Sequence, residues 1–147
     1  METLMKRALD IAHLFDVPRG EMACEPYGTG NINDTFCLTV RPWTGAARRY
    51  ILQRVNRYVF PDPEPMMGNI QRVTHYLRGV IAREGGNPAR ETLTLVRAMD
   101  GRPWITDASG DLWRVYLFIE GTVSTDMPDS PEMFAAAGEA FGRFQRQ

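Results

Sequence analysis

The sequence predicts an α+β fold in which an antiparallel sheet of about five strands carries packed helices. Three observations lead to that expectation. Residues 61–86 hold one apolar stripe at helical spacing between a proline-rich start and a glycine-rich stop. Short β-prone runs stand before and after that helix, parted by glycine, asparagine and aspartate turns. A further amphipathic segment lies near each end of the chain.

Taken in order, Leu4, Ala8, Ile11 and Phe15 recur at helical spacing from Thr3 onward, and Pro18 with Gly20 ends the pattern. MACEPY and TFCLTV then read as strands on either side of a glycine segment, and RYILQRVN reads as a third after the turn-like RPWTGAA. Asp62 is placed to cap a long helix, with Pro63 at its first position, where a missing N–H costs nothing. Met66, Ile70, Val73, Leu77 and Val80 or Ile81 form its stripe, and Gly85, Gly86, Asn87 and Pro88 stop it. TLTLVRAM, RPWIT and LWRVYLFI are strand-like, separated by Asp100-Gly101 and by Ser109-Gly110-Asp111. Ser130 is placed to cap a last helix with Pro131 in its first turn, and Phe134, Ala137, Phe141 and Phe144 line one face of it. No glycine cap, proline or polar tail follows Arg146 and Gln147, so this helix reads as interrupted while its apolar face still lacks a partner.

A chain of 147 residues suits one domain with one core, and 44% apolar with 24% charged residues is ordinary globular composition. No apolar run approaches the roughly 18 residues that a spanning helix needs, so no membrane partner is expected. Residues 1–15 lack the cleavage pattern of an export signal, which makes the expected location cytoplasmic. A net charge of -1 supplies no general basic field for nucleic acid. Arg48, Arg49, Arg54 and Arg57 cluster locally and read as a solvated strand edge. Cys24 and Cys37 show no zinc spacing. A hairpin symmetric about residues 29–32 would set them opposite one another, and free half-buried thiols remain the expectation in a reducing compartment.

Conventional catalytic groupings are missing from the pattern. His13 and His75 each fall on an expected helix without a readable partner, no pair of carboxylates is placed by spacing as acid and base, and metal spacing is absent. The distinctive stretch is YGTGNINDTF, residues 27–36. A phosphate loop needs consecutive backbone N–H groups aimed at one anion, hence residues that tolerate positive φ and lack bulk. Gly28, Gly30, Asn31 and Asn33 meet that demand. The same residues also describe an ordinary hairpin, and pattern alone favours the hairpin. Context points the other way, because a glycine hairpin, a third strand, a long helix, more strands and a connector before a helix is the order of the protein-kinase fold.

GTGNINDTF, YILQRVN, VFPDPEPMMGNIQRVTHYLR, the TLTL strand, DGRPWI, LWRVYLFIEG and AAAGEAFGRFQ resemble the amino-terminal part of the N-acetylhexosamine 1-kinases. Those enzymes are members of the aminoglycoside phosphotransferase and choline kinase superfamily, whose fold is kinase-like. The resemblance spans the chain from about residue 22 onward and implies a kinase-like nucleotide-binding lobe over 1–121, with 122–147 as connector and first helix of a second lobe. It implies ATP as ligand, with Gly28, Thr29, Gly30, Asn31, Ile32, Asn33 and Asp34 over its phosphates. It implies that Gln53 falls where a phosphate-contacting Lys or Arg usually sits, with Arg54 beside it, and that Phe118, Ile119 and Glu120 form the connector that meets adenine. Adjacent strand residues point to opposite faces, so only one of Gln53 and Arg54 can face the nucleotide. If Gln53 does, the usual cation must come from elsewhere.

The long helix also departs from the family pattern, since MMGNIQRVTHYLR has no Glu for a Lys–Glu pair. The family's His-x-Asp catalytic loop and later metal-binding Asp have no match, because no histidine follows His75. The expectation is therefore the ATP-binding lobe of a sugar kinase, an ATP-dependent phosphotransferase inactive as this chain alone. Mg²⁺ and the sugar would be held by a catalytic lobe from which the chain is cut. The rival expectation is a non-catalytic module that docks a partner, or a second copy of itself, through Phe134, Phe141 and Phe144.

Overall fold

The computed structural model describes residues 3–28, 32–122 and 130–147. Helix α1 (Leu4–Ala12) begins on Thr3, whose hydroxyl accepts the Lys6 amide at 3.1 Å. It ends earlier than helical spacing suggests, with His13 as its C-cap. Phe15, the last member of the expected stripe, is buried through a backbone bridge to Ala98 instead.

The antiparallel sheet has six strands: β1 (Gly20–Pro26), β2 (Asp34–Pro42), β3 (Arg48–Arg54), β4 (Leu95–Val96), β5 (Ile105–Thr106) and β6 (Leu112–Leu117). Their order is β1-β2-β3-β6-β4, with β5 also on β6. TLTLVRAM and RPWIT thus supply strands of two residues each, for a geometric reason. One edge of the six-residue β6 is taken by β3, and β4 and β5 share the other, with Leu95 opposite Tyr116 and Ile105 opposite Trp113. β3 lies inside the sheet between β2 and β6, which corrects the reading of its arginines as a strand edge.

Side chains alternate between two faces. Phe36, Leu38, Val40, Tyr50, Leu52, Trp113 and Val115 pack with Ala8, Ile11, Ala12 and Phe15 into the main core on the α1 side. On the opposite side Val55 and Leu112 pack with Met67 of α2 (Pro63–Arg83). The buried residues of α2 are Met67, Leu77 and Ile81; Met66 and Ile70 of the expected stripe are partly buried and pack against the same cluster, while Val73 is half exposed. Asp62 occupies the N-cap without a side-chain bond to the helix, while Pro63 begins it as expected. The helix stops in a Schellman motif, in which Gly86 N–H reaches the Ile81 carbonyl at 2.9 Å and Gly85 N–H the Ala82 carbonyl at 3.1 Å. Gly85 sits at φ 82°, the left-handed region.

A short helix, α3 (Pro88–Glu91), follows where the sequence suggested only a stop. Helix α4 (Pro131–Arg146) starts as expected on Ser130, whose hydroxyl accepts the Met133 amide at 3.1 Å, and Tyr76 donates to the Gln147 carbonyl at 3.1 Å. Among the described residues no helix is long and apolar enough to cross a membrane. The β1–β2 register sets Cys24 opposite Leu38 and Cys37 opposite Glu25, one residue away from the symmetric hairpin expected. The thiols therefore leave opposite faces of the sheet, and both are free.

Candidate functional site

The glycine segment joins the ends of β1 and β2. Their ladder closes with Tyr27 N–H on the Thr35 carbonyl at 3.0 Å, after which Gly28 turns at φ 80°, a conformation glycine adopts without penalty. Thr29, Gly30 and Asn31 lie outside the described residues. On the returning arm, Asn33 Oδ1 accepts the Asn56 amide at 2.9 Å and Asn56 Nδ2 donates to the Ile32 carbonyl at 2.9 Å. This reciprocal pair fastens the segment to the chain leaving β3. Asn33 does so without positive φ, which no non-glycine residue adopts among those described. Its value at this position is its side-chain amide rather than the backbone freedom expected of it. Ile32 projects into solvent.

Gln53 and Arg54 separate as strand geometry requires. Arg54 turns to the α1 side, where its Nε donates to Asp34 Oδ2 at 2.8 Å, its Nη1 lies 3.5 Å from Asp111 Oδ2, and its guanidinium sits 6.0 Å from the Trp113 ring centre. Asp111 also takes Arg7 Nη2 at 2.9 Å, and Asp107 takes the same nitrogen at 2.6 Å. Burial disfavours the charged form of Asp107, yet bonds from Trp113, Arg7 and the amides of Asp111 and Ser109 together hold it below the usual carboxylate range. Arg54 and Asp34 thus belong to an ion-pair network tying α1 to the sheet.

Gln53 turns to the α2 side. Its Nε2 donates to Thr35 Oγ1 at 3.0 Å, and its Oε1 accepts Arg114 Nε at 2.9 Å and Nη2 at 2.7 Å. Arg114, directly opposite Gln53 on β6, also reaches Met67 Sδ at 3.7 Å. Burial pushes its guanidinium down from its ordinary value. The sequence reading passed over Arg114 as the middle of an apolar strand, since only the β3–β6 register joins it to Gln53. Thr35, Gln53 and Arg114 form one row across three strands, beginning at the base of the glycine segment.

The connector after β6 is divided. Phe118 and Glu120 border a cavity of ≈ 620 Å³ with Thr39, Arg41, Arg49 and Leu117. Ile119 borders a second of ≈ 540 Å³, with Val73, Leu77, Leu93 and Phe144. The Arg49 guanidinium lies 4.0 Å above the Phe118 ring and pairs with Glu120, which raises Arg49 and lowers Glu120 from their ordinary values. Tyr27 meets the Phe118 ring edge-on at 5.3 Å, bringing the base of the glycine segment against the connector. The connector backbone already bonds within the chain: Phe118 N–H to the Arg49 carbonyl at 3.4 Å, Arg90 to the Glu120 carbonyl at 2.8 Å, and Thr122 to the Ile119 carbonyl at 3.0 Å. Each carbonyl keeps a second lone pair.

His13 Nδ1 lies 3.1 Å from Met22 Sδ, and His75 borders a small polar hollow on α2 with Arg78. Among the described residues no group of three His, Cys, Asp or Glu side chains could hold a metal ion. No protein-family model matches the chain.

Proposed function

We propose that this chain is the nucleotide-binding part of an ATP-dependent small-molecule kinase of protein-kinase-like fold, acting on a sugar of the N-acetylhexosamine class. In the complete reaction ATP would pass its γ-phosphoryl group to the anomeric hydroxyl. The observation that carries this reading is a single sheet face. The row Thr35–Gln53–Arg114, leading from the glycine segment, lies on the same side of β3 as Met67 of the following helix. That side would take the phosphates, with Phe118 and Glu120 at the adenine end. The residues present suit a nucleotide in part: a turn glycine at positive φ, a half-buried guanidinium and an aromatic connector. Among the described residues there is no cluster of acidic donors that would suit Mg²⁺. The proton-accepting carboxylate likewise has no counterpart in this sequence, so residues 1–121 would bind ATP and 122–147 would lead toward a catalytic lobe.

The test is calorimetry and amide NMR of the 147-residue chain with ATP. Saturable binding, with shifts at Gly28, Asn33, Gln53, Phe118 and Glu120, is expected, with no sugar phosphorylation by this chain alone. Absence of any nucleotide-dependent shift, or sugar phosphorylation at an ordinary kinase rate, overturns the reading.

A second reading rests on α4, where Phe134, Phe141 and Phe144 are 65%, 68% and 53% exposed. A non-catalytic module that pairs through this face, with a partner or with itself, would behave differently. Phe141→Ser with Phe144→Ser should convert a self-associating chain to monomer in size-exclusion chromatography. A native chain already monomeric at high concentration rules out self-pairing.

A further inference from the structure

Arg114 is a half-buried cation without a counter-charge among the described residues. Arg7 pairs with Asp107 and Asp111, Arg54 with Asp34, and Arg49 with Glu120. Arg114 instead has the neutral Gln53 oxygen and the Met67 thioether as its hydrogen-bond partners. A guanidinium stays protonated at any ordinary pH, so partial burial opposite neutral partners leaves charge that an anion would compensate. Gln53 holds two of its N–H groups through one oxygen and is itself held by Thr35, so the fork is oriented before any ligand arrives. The remaining nitrogen, Nη1, has only a weak sulfur acceptor among the described residues.

Resting on the nucleotide reading above, we infer that Arg114 is the phosphate-binding cation of this site. On this reading the charge stands on β6 rather than β3, with Gln53 as the residue that positions it. The ligand class is a polyphosphate, whose oxygens would accept from Nη1 and share Nη2. Met67 is the α2 side chain that reaches the guanidinium, and Glu64, one turn earlier in the helix, is exposed and makes no ion pair with Arg114 among the described residues.

Binding of ATP, adenosine and inorganic tripolyphosphate is to be measured on the native chain, on Arg114→Met, and on Arg114→Met combined with Gln53→Lys. Charge-assisted hydrogen bonds correspond to a loss of about tenfold or more in affinity. Arg114→Met should therefore weaken ATP and tripolyphosphate by at least about that factor and leave adenosine unchanged. The double variant, which returns a cation to the adjacent strand, should recover much of the loss. Equal ATP affinity in native protein and Arg114→Met overturns this assignment while leaving the nucleotide reading intact. Arg114-dependent tripolyphosphate binding without adenosine or ATP binding upholds the anion site and overturns the nucleotide reading. Absence of binding to all three probes overturns both. If Arg114→Met does not fold, the Arg114 Nε–H resonance of the native chain decides the matter. Movement with tripolyphosphate supports the site, and an unmoved signal at saturating concentration overturns it.

Discussion

Gln53 and Arg54 are consecutive, yet their side chains leave β3 in opposite directions and enter different chemical settings. Arg54 joins Asp34 and Asp111 beside Trp113, while Gln53 bridges Thr35 and Arg114. Asp107 organises the first setting, accepting Trp113 Nε1 at 2.9 Å, Arg7 at 2.6 Å and the amides of Ser109 and Asp111. Its folded pKa lies below the unfolded value, so its charge stabilises the fold above about pH 4, and that contribution fades as the pH falls through the folded value. Asp107→Asn should lower stability near neutral pH by about 2 kcal/mol and flatten the acid limb of a denaturant-midpoint profile. A variant with an unchanged acid limb would show that Asp107 is not its source. Cys24 offers a second check. Burial, then the neighbouring Cys37 and Glu25, push its thiol up to about 11. Thiol-reagent labelling of the folded chain at pH 8 should therefore be at least about tenfold slower at Cys24 than in denaturant.

At the scale of elements, both ends of α2 and the start of α4 were legible because caps and stops are local chemistry. Ser130, Pro131, Pro63 and the Gly85-Gly86 pair act within one turn of themselves. A side chain at Gly85 would meet nothing within 4 Å, so Gly85→Ala carries only the penalty of the left-handed backbone. A loss of about 1 kcal/mol with an unchanged m-value is expected in urea unfolding. The β4 and β5 lengths were not legible. TLTLVRAM has strand composition throughout, but β6 offers a single edge to both segments, and an unpaired β-prone residue is not a strand. The end of α1 was missed because Phe15 satisfies helical spacing while being buried by a bridge to Ala98.

For the whole molecule, the deciding feature is a sheet with two unlike faces. The α1 side is the larger apolar core, with Leu38, Leu52, Trp113 and Val115 fully buried, and the opposite side carries the polar row Thr35–Gln53–Arg114 beside Met67. Stability should follow the first face. Leu38→Ala is expected to cost about 3 kcal/mol in denaturant unfolding, whereas a change confined to the polar row should alter anion binding more than stability. A small effect of Leu38→Ala would mean that the α1 layer is loosely packed.

By itself the sequence determined the α+β class, the two long helices, the strand candidates and the glycine segment as the distinctive stretch, because periodicity, caps and turn residues act over a few neighbours. The tertiary structure alone decided which of Gln53 and Arg54 faces α2, that Asn33 fastens its loop to Asn56, and that Arg114 stands against Gln53. Those pairings join residues that are 61 positions apart for Gln53 and Arg114 and 23 apart for Asn33 and Asn56. They follow from strand order and register, which no local pattern of residues contains.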